Sequence, residues 1–428
     1  MNGYEVIIIG GGPAGSSAAA HLAARGVRVV LLEKGRMPRQ KLCGEFITPE
    51  CFPTLNRLGV MDRILIAGAQ KITQLSLIGS NGKRVEAPLS EMSDKSSALG
   101  LSRARFDEVL FNAARQSGAV CLESHAVKRC LYDDGRPTGV EAMSIADGRT
   151  VTFYAPLVVD ASGRNSRAMV GKHERTARKR GSRLFAMKAH LKGVEGIAGR
   201  VELYFFPGGY GGLSSIEDGL MNLCFITDEA KLGAMGGNAA SVMRQTVLRN
   251  PLANERLSGA GEVRKWESAG PLVFGRRRLA QSGVIAIGDA SGMIDPFTGT
   301  GIQIALRTGE LAAEAIIEAM GSTPAASARP TESRGFAADA AHHEDHNGKE
   351  PAPASSLEGA VLARYAESYE REFGKRMKIA GLLRAPAFSP RMASLFGYLL
   401  SVSPRLARGV LRASRSGREV QARMEQPE

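Results

Sequence analysis

The apolar and polar positions at the start of the chain predict a strand, a helix and a second strand in close succession. Apolar residues over 6–9 form a continuous run that stops at Gly10. A stretch of small residues over 16–25 predicts a helix, and a second apolar run over 27–32 predicts a strand that ends at Glu33. Continuous apolar runs are typical of parallel strands buried on both faces. The pattern therefore predicts an α/β fold that begins with a βαβ unit.

Further along the chain the pattern changes. Short runs that alternate apolar and polar residues over 71–88 and 201–227 predict half-buried strands, and hence a second, sheet-rich unit. The segment 321–356 is rich in Ala, Pro, Ser, Glu and His and has no periodicity, so we predict a linker there. Beyond it, 357–379 and 392–402 have the pattern of helices.

The first turn carries the glycine pattern G-x-G-x-x-G of a dinucleotide-binding unit. Gly10 allows the tight turn, Gly12 lets the main chain approach a pyrophosphate, and Gly15 lets helix and strand pack closely. The pyrophosphate would lie on the N-terminus of the helix, where free N–H groups and the helix dipole favour anions. Glu33 is placed to accept hydrogen bonds from the adenosine ribose. Together with Ala14, these residues are the first predicted cofactor-binding set.

Three later segments decide between NAD and FAD. They contain Arg103 at the start of a predicted helix, Asp160 and Gly163 in a small-residue turn after an apolar strand, and Gly288-Asp289 after another buried strand. Arg103 is placed to reach back to the pyrophosphate of a long cofactor. Together with the first turn, these segments resemble the FAD-binding motifs of one flavoprotein superfamily. It contains the single-component aromatic hydroxylases, the flavin-dependent halogenases and the geranylgeranyl reductases, and the resemblance covers residues 4–320.

The resemblance implies roles for the last of these segments. Asp289 is expected to bind the ribityl and pyrophosphate region of FAD. A glycine-rich turn and the helix start after it are expected to face the pyrimidine edge of the flavin, which maps to Gly299, Thr300, Gly301 and Ile302. N–H groups at a helix start stabilise negative charge, which is the use of such a turn beside a reduced flavin.

The resemblance also implies a domain arrangement. We expect a discontinuous FAD-binding domain of the Rossmann type, similar to glutathione reductase, formed by 1–65, 100–165 and 276–320. Segments 66–99 and 166–275 are expected to form a substrate domain over the flavin. A helical C-terminal region over 357–428 is expected to complete the chain.

Two residues are candidates for the reaction itself, Cys43 and Tyr210. The stretch Arg39-Gln40-Lys41-Leu42-Cys43-Gly44 resembles the Cys-Gly segment of the geranylgeranyl reductases, where Cys43 would lie beside the flavin as a cofactor-binding or catalytic residue. The alternative is a plain buried cysteine. Arg39 and Lys41 are placed either to bind phosphate or to form a solvated basic turn.

The substrate-domain motif departs from that family. Geranylgeranyl reductases carry Gly-Tyr-x-Trp-x-Phe-Pro, and the corresponding run over 209–215 keeps Tyr210 but has a glycine for Trp and two serines for Phe-Pro. The loss of two rings predicts a wider pocket. Phe205, Phe206 and Tyr210 are candidates for its apolar lining, with ordinary core positions as the alternative. Halogenases carry Trp-x-Trp-x-Ile-Pro, and the only tryptophan here is Trp266, so we reject that activity.

Composition narrows the remaining choices. The chain has 428 residues, is 43% hydrophobic and has no stretch of the roughly 18 apolar residues that a membrane-spanning helix needs. A strand follows Met1 directly, so we expect no signal peptide and a cytoplasmic location. The cysteines are not spaced like the ligands of a metal ion, and we predict no metal site. The histidines at His342, His343 and His346 fall in the predicted linker.

The net charge of +13 is unevenly placed. No nucleic-acid-binding motif accompanies it, so we expect no nucleic-acid partner. Arg405, Arg408, Arg412 and Arg415 recur at helical spacing in a C-terminal stretch without acidic residues. Such a basic helix is typical of peripheral contact with an anionic membrane, and the alternative is a solvated helix that closes the C-terminal region.

Three functions fit these observations. The first is reduction of carbon–carbon double bonds in an isoprenoid-like, hydrophobic small molecule, with FAD as cofactor and NAD(P)H or another reductant as a transient donor. The second is a monooxygenase that hydroxylates an aromatic or polyketide-like compound. The third is an electron carrier that passes electrons to a partner. The Cys43-Gly44 segment and the basic tail favour the first, and the altered aromatic segment favours the second.

Overall fold

The computed structural model describes residues 3–91, 97–164, 166, 183–321 and 356–388. The predicted helices over 392–402 and around Arg405 to Arg415, and the three linker histidines, lie outside the described residues. Strands and helices are numbered along the chain.

A six-stranded sheet forms the centre of the first unit. Its strands, in spatial order, are β20 (Ala280–Gln281), β21 (Val284–Ala286), β12 (Leu157–Asp160), β1 (Val6–Ile9), β2 (Val29–Leu32) and β8 (Val120–Leu122). All neighbours pair in parallel except β20, which is antiparallel to β21. Every residue of β1, β2 and β12 is buried, which explains why these strands are continuous apolar runs in the sequence.

Helices cover this sheet. The helices of the described chain are α1 (Pro13–Ala23), α2 (Phe52–Arg57), α3 (Met61–Ile66), α4 (Arg103–Gln116), α5 (Glu229–Ala234), α6 (Ala239–Gln245), α7 (Pro251–Leu257), α8 (Gly301–Gly321) and α9 (Leu357–Phe388). Helix α1 packs against α4 and α8, and α9 packs on α8.

Two helix predictions were wrong at their ends. Helix α1 begins at Pro13 rather than residue 16, because proline has no N–H to leave unpaired in a first turn. Helix α9 continues past residue 379 to Phe388. It also joins the core of the first unit: Tyr365 and Tyr369 are buried there, and the Tyr365 hydroxyl donates to the Ala286 carbonyl at 3.0 Å.

A second large sheet is mostly antiparallel. Its strands, in spatial order, are β17 (Gly261–Glu262), β13 (Leu184–Lys192), β16 (Met221–Asp228), β15 (Gly209–Ser215), β14 (Arg200–Phe206), β5 (Gln74–Ile78) and β6 (Arg84–Pro88), with β18 (Glu267–Ala269) also paired to β13. Each face has its own core. One core includes Phe206, Phe225 and Trp266 together with residues of α6 and α7, and the other includes Phe205, Tyr210 and Phe297.

Three smaller sheets complete the described chain. Their strands are β9 (His125–Asp133), β10 (Arg136–Ser144) and β11 (Thr150–Tyr154) in the first, β3 (Phe46–Ile47), β7 (Ala98–Gly100) and β4 (Gln70–Ile72) in the second, and β19 (Gly275–Arg276) with β22 (Gly292–Met293) in the third.

The two large sheets draw on different parts of the chain. All strands of the six-stranded sheet come from 1–65, 100–165 and 276–320, and those of the second large sheet come from 66–99 and 166–275. The limits of the domains themselves stay a prediction. Across the described ranges, no helix combines the length and the apolar character that crossing a bilayer requires.

Candidate functional site

The turn between β1 and α1 requires glycine for steric reasons. Gly10 has a φ of +103°, and a Cβ there would lie 2.6 Å from the Ala161 carbonyl oxygen. A Cβ on Gly15 would lie 1.9 Å from the Gly10 carbonyl oxygen. Ala14 packs beside Gly288, where an added Cβ would come within 2.9 Å of the Ala14 methyl group. The turn, the start of α1 and the turn after β21 therefore pack at main-chain distance.

Gly12 differs from Gly10 and Gly15 because the space that a side chain would occupy there borders two cations. A Cβ there would meet only the Nη2 atoms of Arg39, at 3.8 Å, and Arg103, at 3.9 Å. Arg103 makes a bidentate pair with buried Asp107, with Nε–Oδ1 at 2.6 Å and Nη2–Oδ2 at 2.7 Å. Arg39 Nη1 lies 3.1 Å from the same carboxylate. Two guanidinium groups thus share one carboxylate at the N-terminus of α1, an arrangement suited to an anionic ligand.

Asp289 lies in the same positively charged region. Burial raises its pKa, and four cations oppose that shift. These cations are Lys41, Arg103, Arg164 and Arg277. Lys41 itself has its pKa lowered to about 8, first by burial and then by the charges of Arg103 and Arg39. Cations therefore outnumber carboxylates here, and a diphosphate would balance the excess positive charge.

Glu33 directly follows β2, and its ionised carboxylate accepts hydrogen bonds. Its carboxylate accepts from the main-chain N–H groups of Gly11 and Gly35, both at 2.8 Å, and from Arg39 Nη2 at 3.2 Å. Burial alone would raise the Glu33 pKa, but the Arg39 charge and the two N–H groups together lower it. The carboxylate is held in place at the strand end, and its predicted contact with a ribose stays a prediction.

Asp160 accepts hydrogen bonds within the turn that follows β12. Its Oδ1 accepts from the Ser162 N–H at 2.8 Å, and its Oδ2 accepts from the Ser166 hydroxyl. Gly163 has a φ of +83° and open space where a Cβ would be. Sequence reasoning assigned Asp160 and Gly163 to the cofactor, whereas the structure shows that the carboxylate shapes the turn. A direct cofactor contact of either residue stays a prediction.

The turn before α8 presents an open helix N-terminus. Gly299 has a φ of +68°, and a Cβ there would approach the Phe46 ring to 3.3 Å. Thr300 is buried and its hydroxyl lies 2.9 Å from that of Thr298. Gly301 is exposed, with nothing within 4 Å of an added Cβ. The first N–H groups of a helix have no partner within the helix, so those of Gly301 and Ile302 are available to a ligand, and the dipole of α8 favours a negatively charged ring edge.

The Cys43-Gly44 loop leads into a buried group of charges, which we name the Glu45 cluster: Glu45, Lys188 and His190. Glu45 is fully buried with a φ of 54°. Its carboxylate accepts from Lys188 Nζ at 2.6 Å, His190 Nε2 at 2.7 Å and the Arg103 N–H at 2.8 Å. Burial would raise the Glu45 pKa, but His190 and Lys188 lower it. The carboxylate therefore stays ionised.

The Glu45 cluster fixes the loop to the second sheet. Lys188 Nζ also donates to the Lys41 carbonyl at 3.1 Å and to Gln40 Oε1 at 3.3 Å. Asn222 Nδ2 donates to the Cys43 carbonyl at 3.1 Å. Sequence reasoning missed this cluster. The one signal was a lysine and a histidine at alternate positions of a strand that is otherwise mostly apolar on that face.

Tyr210 connects a strand of the second sheet to the turn before α8. It is buried, its hydroxyl donates to Asp295 Oδ1 at 2.6 Å, and the same oxygen accepts from the Phe297 N–H at 3.0 Å. Burial and then Asp295 raise the Tyr210 pKa well above its usual value. Tyr210 thereby ties β15 to the turn before α8, and its predicted catalytic role stays a prediction.

The aromatic residues of β14 lie on opposite faces. The Phe205 ring is 5.9 Å from that of Phe297 and 6.5 Å from that of Tyr210, on the face toward the α8 turn. Phe206 packs against Phe225 on the other face. Phe206 is thus a core residue rather than pocket lining, because neighbouring residues of a strand point to opposite sides.

These features fit one kind of cofactor, and the comparison with known families decides which. The profile of a family described as an FAD binding domain matches residues 3–323. The chain belongs to this family. It is an FAD-dependent enzyme, and its cofactor is FAD. The space at Gly12, the excess of cations and the open start of α8 fit the diphosphate and the flavin of that cofactor.

Curated relatives include several kinds of protein. Conditioned medium factor receptor 1 of Dictyostelium discoideum is 26% identical over 74% of this chain, which spans 64% of that protein. Menaquinone reductase of Mycolicibacterium smegmatis is 28% identical over 76% of this chain and 79% of that enzyme. Digeranylgeranylglycerophospholipid reductase 2 of Methanopyrus kandleri is 27% identical over 88% of this chain and 85% of that enzyme. Flavin-dependent halogenases match at similar identities.

Solved structures confirm the predicted α/β fold class. A myxobacterial chondrochloren halogenase superposes with a TM-score of 0.73 at 21% identity, covering 98% of this chain and 88% of that one. A geranylgeranyl bacteriochlorophyll reductase-like protein of Thermoplasma acidophilum gives a TM-score of 0.73 at 18% identity, covering 99% and 98%. The predicted membership of the hydroxylase and halogenase superfamily is confirmed, whereas no single branch is distinguished from the others.

Proposed function

We propose that the protein reduces carbon–carbon double bonds in a hydrophobic, isoprenoid-bearing small molecule, and that NAD(P)H or another reductant supplies the electrons. One observation carries the proposal. The face of the second sheet toward the α8 turn is an apolar wall beside the Cys43-Gly44 loop. The wall is formed by Leu42, Phe46, Leu203, Phe205, Tyr210 and Phe297. An apolar wall suits a greasy ligand.

The names of two relatives support this substrate class. One is a reductase of menaquinone and the other of digeranylgeranylglycerophospholipid. Both named substrates carry isoprenoid chains. The bound flavin supplies the two-electron chemistry. The N–H groups at the start of α8 would stabilise negative charge on the reduced ring, and the Glu45 cluster would hold the Cys43-Gly44 loop beside it.

A monooxygenase is the second candidate, because the family includes such enzymes and the motif around Tyr210 departs from the prenyl reductases. An electron carrier is the third. The apolar wall argues against a carrier, since a relay to a protein partner needs no substrate wall. Membrane contact through the basic C-terminal stretch and a cytoplasmic location remain part of the proposal, as does a small molecule rather than nucleic acid as partner.

Oxygen dependence tests the proposal. The FAD-loaded protein is reduced without oxygen and mixed with menaquinone or with a geranylgeranyl lipid. We expect reoxidation of the flavin together with a product in which one carbon–carbon double bond of the prenyl chain has taken up two hydrogen atoms. Menaquinol, which carries its two added hydrogen atoms on the ring oxygens, would not count as this product. Free reduced FAD without protein is the control. Product that forms only when oxygen is admitted, and that carries an added oxygen atom, would establish the monooxygenase instead. Reoxidation by an acceptor protein alone would establish the carrier.

A further inference from the structure

One row of residues is left partly exposed in the three middle strands of the second sheet. The same row is closed at its two ends by buried Leu77 of β5 and buried Lys188 of β13. Leu203, Gly212 and Cys224 pair with one another across β14, β15 and β16, and all three are partly exposed. The rows on either side are buried. They consist of Phe205, Tyr210 and Ile226 on one side, and of Val201, Ser214 and Asn222 on the other. These rows share one face because residues two apart in a strand point the same way.

This open row lies next to the Cys43-Gly44 loop. Asn222, one step from Cys224 on the same face, donates to the Cys43 carbonyl at 3.1 Å. At the other end of the row, Leu203 is itself part of the apolar wall. The row therefore forms an open strip between Cys43 and the wall.

Gly212 is the one glycine of β15 without a packing reason. A Cβ on Gly209 would lie 2.0 Å from the Ile226 carbonyl oxygen, and one on Gly211 would lie 2.8 Å from the Phe225 Cβ. On Gly212 it would meet only the tip of the Leu203 side chain, at 3.2 Å. The strand register runs through without a bulge. Glycine weakens a strand interior, so its presence at such a position indicates close approach of a ligand.

We propose that Gly212 determines the substrate specificity of the site: its bare main chain admits a flat ring, so the substrate class is a ring-bearing isoprenoid such as a prenylated quinone rather than a linear prenyl chain alone. The inference rests on the proposed function and names its substrate class. The prenyl reductase motif has Trp at this position, and a ring there would cover the open strip.

Substitution of Gly212 tests the assignment by binding rather than by turnover. Oxidised, FAD-loaded protein is titrated with a short-chain menaquinone and, separately, with geranylgeraniol, and the flavin absorbance change gives each dissociation constant. We expect Gly212→Phe to weaken quinone binding by about 10- to 100-fold, the range that a steric change in a pocket produces. Binding of geranylgeraniol should change by less than about threefold, well under the 1.4 kcal/mol that a tenfold change represents.

A matched control is available in the same sheet. Gly261 lies in the edge strand β17, and a Cβ there would meet only the Lys192 side chain, at 3.5 Å. Gly261→Phe should leave both dissociation constants unchanged. FAD retention and the melting temperature show whether each variant is folded. If Gly212→Phe does not fold, Gly212→Val should also weaken quinone binding more than geranylgeraniol binding, but to a smaller extent.

Two outcomes overturn the proposal: equal loss of both ligands, or no loss of either in the folded variants. Failure of the proposed reaction would look different. In that case the wild-type protein would bind the quinone and Gly212→Phe would lose it, while no double bond would be reduced under anaerobic conditions.

Discussion

Removal of the Lys188 ammonium group tests whether the Glu45 cluster holds the Cys43-Gly44 loop. Lys188→Met keeps the length of the side chain and removes a cation that is 1% exposed. Glu45 then keeps only His190 and the Arg103 N–H as partners, and the Lys41 carbonyl loses its donor. Breaking a buried ion pair by removing one partner costs about 3–5 kcal/mol, because the remaining charge is left uncompensated. We expect a loss of stability in that range.

The double variant separates the charge from the packing. Glu45→Gln together with Lys188→Met removes both charges, and the amide still accepts from the Arg103 N–H. Most of the cost should therefore be recovered, with a coupling energy of about 2 kcal/mol or more in the double-mutant cycle. The loss of stability at acidic pH should shift as well. The Glu45 pKa lies below its usual 4.5, so its stabilisation is present above pH 4.5 and is lost as the pH falls through the folded-state pKa. Lys188→Met raises that pKa and shifts the loss to higher pH.

The single tryptophan makes the assay local. Trp266 packs against Phe225 in the second sheet, with ring centroids 5.8 Å apart, so its fluorescence follows that sheet during denaturant unfolding. Arg183→Met is the control, because the Arg183–Glu229 pair is 53% and 44% exposed and such pairs contribute about 0–1 kcal/mol. A cost below about 1 kcal/mol for Lys188→Met, or a double variant no more stable than the sum of the single changes, would refute the reasoning.

Three further predictions concern the FAD site. Because the Lys41 pKa is about 8, the affinity of the apoprotein for FAD should fall as the pH rises above 8. Lys41→Met should abolish this pH dependence in FAD titrations. If the affinity of the variant still falls above pH 8, Lys41 is not the cause. Tyr210→Phe removes the donor to Asp295 and should destabilise the protein by about 1.5–3 kcal/mol in thermal unfolding, whereas an unchanged melting temperature would show that the tie is unimportant. Asp289→Ala should abolish FAD retention with unchanged helical circular dichroism, and full FAD occupancy would contradict its role.

Local chemistry explains what the sequence could predict. The positive φ of Gly10 and the contact of Gly15 with the Gly10 carbonyl arise within a few residues, and the burial of β1 follows from its apolar run, so these features could be predicted directly. The Glu45 cluster could not. Glu45 and Lys188 are 143 positions apart, and only the fold brings them to 2.6 Å. Similarly, the choice between a phosphate-binding and a solvated Lys41 depended on where Arg103 lies. Charge–charge proximity across the chain leaves no periodic signal in the sequence.

The same reasoning explains why similarity to relatives leaves the reaction open. The matched family region, residues 3–323, contains the glycine turn, the cation cluster and the start of α8, and all of these serve FAD whatever the substrate. A reductase-like protein and a halogenase of this fold therefore match the chain equally well, with TM-scores of 0.73 each. On our proposal, substrate choice depends instead on residues of the second sheet. The open strip lies outside the glycine turn and the cation cluster, and the missing side chain at Gly212 leaves its main chain bare there, so a change at Gly212 can alter the substrate while the FAD site stays the same.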